Sequence, residues 1–291
     1  MENNSRFLQH LAPSEIPNKA HNYMLSTYSI ILEAWRRGLE ISIRIVLEKS
    51  GNIEPYFSIS DGKKIHRFSV TRGDLVSNEA KLLTKNKQEA KEMLVKNNVP
   101  TPEGTLFSKE ANDEEIIQYA EKLHYPVVIK PLQGTGGRGV IGNIQNKEEL
   151  SNALQYVRRD LKSPEIIVEK YFIGDDYRLY VLDGKVIGAL KRLRAYVIGN
   201  GKDTIEQLIH NKNKERMKLP ALSNRPIKID KETETLLKRK NYDLKTTILP
   251  EGEILYLKTK NNVSAGGESI DVTDEISENI KSIAVKAAES F

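Results

Sequence analysis

The sequence predicts an α+β protein that is divided into several lobes. Segments with helical periodicity are mixed with pairs of strands that flank hairpin turns. The strands and helices do not alternate in the regular order that builds a doubly wound parallel sheet. A chain of 291 residues with 38% hydrophobic content is long enough for two or three small domains or lobes.

The N-terminal third begins with a predicted amphipathic helix over 21–38, which Gly38 ends. Its apolar positions recur at helical spacing, and we expect the tryptophan among them to pack in the core: Leu25, Tyr28, Leu32 and Trp35. A strand is predicted over 39–47. Two further strands, 56–59 and 65–70, flank the turn Ser60-Asp61-Gly62-Lys63 and form a hairpin.

The rest of the chain continues the mixture of helices and strands. Apolar periodicity and end signals predict helices over 86–97, 110–123, 147–160, 203–216, 231–240 and 275–289. Strands are predicted over 126–130, 165–171, 178–182, 186–190 and 254–258. The turn Asp183-Gly184-Lys185 makes a hairpin of 178–182 and 186–190, and a polar, glycine-containing loop follows at 261–267.

Composition excludes several classes of function. The chain has no cysteine, so disulfides and thiol catalysis are excluded, and we expect a cytoplasmic protein. Its five histidines show no metal-ligand spacing, and no apolar run reaches the ~18 residues of a membrane span. The net charge of +5 is spread along the chain without interleaved aromatic residues, so we do not expect nucleic acid as a partner.

The segment 127–140 is the most informative motif. A β-branched run ends at Lys130, and a loop that contains Gly134, Gly136, Gly137 and Gly139 follows. Glycines allow backbone N–H groups to approach phosphate oxygens, and a lysine at the strand end adds a point charge. The loop lacks the residues of a Walker A motif and of a dinucleotide-binding turn. Phosphate binding and a flexible hairpin are both open on this segment alone.

Four other segments join this one in a fixed order. They are 85–102 with Lys87, 168–178, 190–209 with the pattern Arg-x-x-Ala-x-Val-x-Gly-x-Gly, and 262–274 with Asn-x-Ser-x-Gly-Gly. Together the five segments resemble the ATP-grasp carboxylate–amine ligases. The resemblance is to the glutathione-synthetase half of bifunctional γ-glutamylcysteine ligase/glutathione synthetases and to the ATP-grasp domain of cyanophycin synthetases.

The resemblance implies a role for each matched residue. Lys87 and Lys130 match two lysines that contact ATP phosphates, and the glycines of 134–139 match a flap over the triphosphate. The remaining residues match the adenine hinge (Glu169, Lys170, Phe172), the ribose carboxylate (Asp176), cations that meet the phosphates and the acyl phosphate (Arg178, Arg192), and a substrate loop (Asn262, Ser264, Gly266, Gly267).

Several of the matched residues also have a purely structural interpretation. Lys87 would be an exposed helix lysine, Glu169 and Lys170 an ordinary surface pair, and Asp176 a turn residue. Arg192 would be held in a structural ion pair, and 264–267 would be a flexible turn. Without the resemblance, the sequence favours the structural interpretation of Lys87; the resemblance is what favours the functional roles over these interpretations.

The resemblance also implies the domain plan and the cofactors. A pre-ATP-grasp region is expected at 1–84 and an ATP-grasp domain at 85–291, with a nucleotide lobe at about 85–165 and a larger lobe at about 166–291. ATP and Mg²⁺ are the expected cofactors. The family's metal ligands lie beyond segments that match this sequence, so no metal ligand is assigned and the ATP-grasp fold is expected to be C-terminally incomplete. The apolar face of the last helix is then left for a partner or a second copy of the chain.

The implied activity is ATP-dependent formation of an amide from an amino-acid or peptide carboxylate and an amine, through an acyl phosphate. The alternative is an ATP-binding module that is catalytically incomplete and acts as a partner or regulator. A third class, the nucleic-acid binder, is supported by the basic charge alone.

Overall fold

A computed structural model describes residues 15–47, 53–84, 86–133 and 139–291. It is an α+β structure of helices and antiparallel sheets, as the sequence predicts. The chain divides into two compact units, each made of two stretches of sequence. The first unit comprises 1–77 and 194–268, and the second comprises 78–193 and 269–291.

The N-terminal stretch of the first unit contains a helix followed by a meander of antiparallel strands. Helix α1 (Leu25–Arg36) follows a short 3-10 turn and contacts the first two strands. The sheet order is β1-β2-β3-β4, from strands Glu40–Leu47, Ile53–Ser60, Ile65–Ser69 and Arg72–Gly73. The prediction that Trp35 packs in the core is wrong: α1 buries the small side chains Thr27 and Ala34, and Trp35 lies on another face with 68% exposure.

The second stretch of the first unit has its own core. Strands β11 (Tyr196–Ile198) and β12 (Ile254–Tyr256) pair antiparallel, and helices α6 (Ile205–Lys218) and α7 (Lys231–Arg239) lie in the same stretch. Their apolar side chains form one cluster of buried residues: Ala195, Val197, Ile205, Leu208, Ile209, Ile227, Leu237, Leu249, Leu255 and Leu257.

The second unit contains a four-stranded antiparallel sheet in the order β5-β8-β6-β7. Its strands are Gly104–Phe107, Ile166–Lys170, Val127–Pro131 and Ile141–Ile144 in that order. Helices α4 (Asp113–Leu123) and α5 (Lys147–Leu154) cover one face. Helices α2 (Asn78–Leu83) and α3 (Lys87–Lys96) precede the sheet in the chain.

A three-stranded sheet completes the second unit. Its order is β13-β10-β9, from Glu268–Asp271, Lys185–Leu193 and Asp176–Leu182. Helix α8 (Glu278–Glu289) contacts β9 and β10, where Ile280 packs against a small cluster around Ala189. None of the α8 residues is fully buried.

Several elements differ from the sequence prediction. The predicted helix over 147–160 ends as an α-helix at Leu154 and continues as a π-helix over Gln155–Asp160. Strand β8, which the sequence assigned to the larger lobe, pairs with β5 and β6. The short elements β4, α2, β5, β7, β11 and β13 were not predicted, because runs of two to six residues carry little periodicity. Within the described ranges, no helix is long and apolar enough to cross a membrane.

Gly104 on β5 leaves no room for a side chain beside β8. A Cβ at this position would lie 2.3 Å from the Val168 carbonyl oxygen and 2.7 Å from Glu169 Cα. We therefore expect Gly104→Ala to lower the free energy of unfolding by about 1–3 kcal/mol, because backbone atoms cannot move aside as a flexible side chain does. Urea denaturation followed by circular dichroism measures this effect.

Gly174→Ala is the matched control, since a Cβ at Gly174 meets no atom within 4 Å. The control is expected to change stability little. Equal stability of the two variants would contradict the close approach of β5 to β8.

Candidate functional site

Two lysines from separate segments meet beside the end of β6. Asn86 caps α3 by accepting hydrogen bonds from the backbone N–H groups of Gln88 and Glu89, which places Lys87 in the first turn. Lys87 Nζ donates to the carbonyl oxygens of Pro131 and Leu132 at 3.0 and 2.9 Å. Lys87 is thus not the fully exposed helix lysine of the structural interpretation.

Burial lowers the pKa of Lys87, and the nearby positive charge of Lys130 lowers it further. Lys130 itself stands near the end of β6, just before the glycine-rich loop. The structure therefore brings the two predicted phosphate lysines together from segments that are more than forty residues apart. Two adjacent ammonium groups repel each other, so an anion bound between them would be stabilised by both.

Glu169 is a buried carboxylate held by two lysines. Glu169 is 6% exposed and lies on β8 opposite Val128 and Gly104. Lys91 Nζ lies 3.2 Å from Oε1, and Lys130 Nζ contacts Oε2. The interpretation of Glu169 as half of a surface pair is therefore wrong, because strand alternation turns this side chain to the sheet face that α3 reaches.

Lys170 points away from this cluster. Its ammonium donates to the carbonyl oxygens of Leu123 and His124 at the C-terminal end of α4, where the helix dipole favours a cation. Its backbone N–H donates to the Glu103 carbonyl oxygen. Phe172 lies in the loop after β8 and is 68% exposed, so its ring is available to an aromatic ligand.

Asp176, Arg178 and Arg192 share one face of the three-stranded sheet. Asp176 is paired with Arg192 in the register of β9 and β10, and Arg178 is paired with Leu190. Arg192 Nη1 lies 3.7 Å from Asp176 Oδ2, so both residues take part in a structural ion pair. Asp176 begins a strand and is not a turn residue.

Gly139 lies at the end of the glycine-rich segment, just before β7, and is close to Pro131 of β6. Its φ is +72°, and a Cβ there would lie 2.7 Å from Pro131 Cγ. A residue with a side chain would be both strained and crowded at this position. The predicted flap residues Gly134, Gly136 and Gly137 lie outside the described residues.

The predicted substrate loop lies in the first unit, where it forms an ordered turn. Asn262 caps the short 3-10 helix Val263–Ala265, and the Gly267 N–H donates to the Asn262 carbonyl oxygen at 2.9 Å. Gly266 and Gly267 are buried, and Ser264 is exposed. The segment 264–267 is therefore a hydrogen-bonded turn, in which Gly266 has a left-handed conformation with φ +92°.

Two residues that the sequence analysis did not select support these segments. Lys91 binds Glu169, and its spacing of four residues from Lys87 on α3 is a signal that could have identified it. Arg216 is buried on α6 and donates to the carbonyl oxygens of Gly267 and Arg225 and to Glu268. No local pattern distinguishes Arg216 from the other basic residues of α6.

One protein-family model matches a part of the chain. Residues 86–178 match the family described as "Carbamoyl-phosphate synthase L chain, ATP binding domain". The matched segment contains the lysines of the cluster, Glu169 and Asp176. The substrate-loop residues lie outside it.

Two curated relatives align with most of the chain. Cyanophycin synthetase of Trichormus variabilis is 35% identical over 256 residues, which are 86% of this chain and 27% of that protein. The glutathione biosynthesis bifunctional protein GshAB of Clostridium perfringens is 33% identical over 91% of this chain and 33% of its own length. The chain thus spans about a third or less of the length of these relatives.

The solved structure of a bifunctional glutathione synthetase from Pasteurella multocida has a similar fold. The TM-score is 0.62 at 24% sequence identity, over 91% of this chain and 35% of that structure. The resemblance seen in the sequence is therefore confirmed at the level of fold and of relatives. The chain contains an ATP-grasp domain, and cyanophycin synthetases and bifunctional glutathione biosynthesis proteins are among its homologues.

Proposed function

We propose that the second unit binds ATP and that the chain supplies the ATP-grasp part of a carboxylate–amine ligase. The observation that carries the proposal is the lysine cluster at the end of β6. Lys91 and Lys130 contact the carboxylate of Glu169, and Lys87 donates to the carbonyl oxygens of Pro131 and Leu132 beside them. The cluster retains two formal positive charges, and it stands at the base of a loop rich in glycine. A polyphosphate is the ligand that this combination of charge and backbone freedom favours.

Within this proposal, Lys87 and Lys130 bind the phosphates, Gly139 and the preceding glycines form the flap, and Glu169 accepts a hydrogen bond from the adenine amino group. Phe172 packs against the face of the adenine base, and the backbone at Lys170 contacts the edge of the base. Asp176 accepts hydrogen bonds from the ribose hydroxyl groups. Each of these contacts is inferred from the position of the residue and from the family resemblance.

The proposed reaction proceeds in two steps. A carboxylate oxygen of the acid attacks the γ-phosphorus of ATP, the bond to the bridging oxygen breaks, and ADP leaves with the bond electrons. An amine then attacks the carbonyl carbon of the acyl phosphate, phosphate leaves, and the nitrogen loses a proton to give the amide. The chain's part is to position the groups and to neutralise charge on the phosphoryl oxygens through Lys130, Arg178 and Arg192.

The substrates are proposed to be small amino acids or peptides, which meet the loop Asn262, Ser264, Gly266 and Gly267. Among the described residues, no group of three or more histidine, aspartate or glutamate side chains is arranged to hold a metal ion. We therefore assign no Mg²⁺ ligand, and neither step above is derived through the metal.

Binding of ATP by the lysine cluster is tested with Lys130→Met, which keeps most of the side-chain volume and removes the charge. We expect ATP affinity to fall by about 1–3 kcal/mol, the cost of a lost charge-assisted hydrogen bond. Isothermal titration calorimetry measures the affinity. Lys147→Met, at an exposed ion pair on α5, is the matched control and is expected to bind ATP as the wild type does. Equal affinities for all three proteins would contradict the phosphate site.

The role of Asp176 is tested by comparing ATP with 2′-deoxy-ATP. In the wild type, loss of the 2′-hydroxyl group is expected to weaken binding about tenfold, because the charged Asp176 carboxylate no longer accepts a hydrogen bond from that hydroxyl group. In Asp176→Ala, the two nucleotides are expected to bind with similar affinity. Asp175→Ala is the control, since its carboxylate is paired with Lys191 at 2.6 Å. The same penalty in all three proteins would leave Asp176 with the structural role alone.

The ligase activity is tested by phosphate release. With ATP present, addition of amino acids or short peptides is expected to raise the rate of phosphate formation and to yield an amide product that mass spectrometry detects. ATP binding without any phosphate release that depends on an acid would support the alternative of an ATP-binding module.

A further inference from the structure

The buried carboxylate of Glu169 has more cationic partners than its charge requires. Lys91 lies 3.2 Å from Oε1, and Lys130 contacts Oε2. A buried carboxylate without a cation is strongly destabilising, so one of the two lysines is needed to hold it in place. The second lysine is not required to balance the charge of Glu169.

The two lysines differ in how firmly they are held. The Lys91 side chain is 13% exposed, and its ammonium also donates to the Gly104 carbonyl oxygen at 3.1 Å. The Lys130 side chain is 30% exposed, and within the described residues its hydrogen bond is to Glu169 alone. Lys91 is therefore tied to both Glu169 and the backbone of β5, whereas Lys130 is tied to one side-chain atom beside the glycine-rich loop.

We infer that Lys91 is a positioning residue, which neutralises Glu169 so that Lys130 can leave this carboxylate for the triphosphate. The inference rests on the proposed function, in which Glu169 meets the adenine amino group and Lys130 meets a phosphate. The amino group of adenine is a neutral donor, so it cannot balance the charge of Glu169 when Lys130 departs. Lys91 supplies that balance, and the departure of Lys130 then leaves no unpaired buried charge.

The experiment compares ATP with adenosine, because only ATP gains from the release of Lys130. Affinities are measured by competition against a fluorescent ATP analogue. Lys91→Met leaves Lys130 as the sole cation of Glu169, so the ratio of ATP affinity to adenosine affinity is expected to fall about tenfold. Lys91→Arg keeps the charge and is expected to restore most of the ratio. Lys147→Met is the control and is expected to keep the wild-type ratio.

The double variant Lys91→Met/Glu169→Gln separates positioning from a merely structural role. A neutral amide does not retain Lys130, so the ratio of affinities is expected to return toward the wild-type value. If Lys91 only held the fold together, Lys91→Met would weaken ATP and adenosine in the same proportion, and Glu169→Gln would not restore the ratio. That result would overturn the inference.

Failure of the inference and failure of the proposed function give different results. A wild-type chain that binds ATP, together with a folded Lys91→Met variant of unchanged ratio, overturns the inference alone. A wild-type chain that does not bind ATP overturns both. If Lys91→Met does not fold, the single variant Glu169→Gln tests the inference. In this variant Lys130 can bind the triphosphate without breaking an ion pair, so the ratio of ATP affinity to adenosine affinity is expected to rise above the wild-type value. An unchanged ratio contradicts the inference.

Discussion

The arrangement of side chains in the second unit depends on the free-energy cost of burying the Glu169 carboxylate. Glu169 lies in an inner strand of a four-stranded sheet and is 6% exposed, so its charge has to be balanced by groups from other segments. Lys91 comes from α3 and Lys130 from β6, and their side chains join the helix and two strands at one point. The same ion pairs place two ammonium groups at the proposed nucleotide site.

Side-chain alternation along β8 places apolar residues on one face of its sheet and Glu169 on the other. Ile166 and Val168 face α4 and α5 and belong to the apolar core of the unit. Glu169 faces the opposite side, where α3 brings its lysines. Lys170 is the next residue and turns back toward the end of α4, so adjacent charged residues serve different purposes. Helices α4 and α5 cover the apolar face of the sheet, and the other face, which α3 reaches, carries the polar side chains.

The first unit uses a buried cation in a comparable way. Arg216 donates to three partners and thereby holds the turn that contains Gly266 and Gly267 against α6. Burial lowers the pKa of Arg216, and the neighbouring Glu268 opposes that shift. The Arg216 guanidinium group therefore packs against the proposed substrate loop and donates a hydrogen bond to the buried carbonyl oxygen of Gly267.

The sequence by itself determined the α+β class, most of the longer helices and strands, the glycine-rich segment after Lys130 and the family resemblance. These features follow from local signals: caps, periodicity, turn residues and the order of motifs. The tertiary structure decided that Glu169 is buried between Lys91 and Lys130, that Lys170 caps α4, and that Trp35 is exposed. Glu169 lies 39 and 78 residues from its two cations, and strand register brings such distant residues together, which local patterns do not encode.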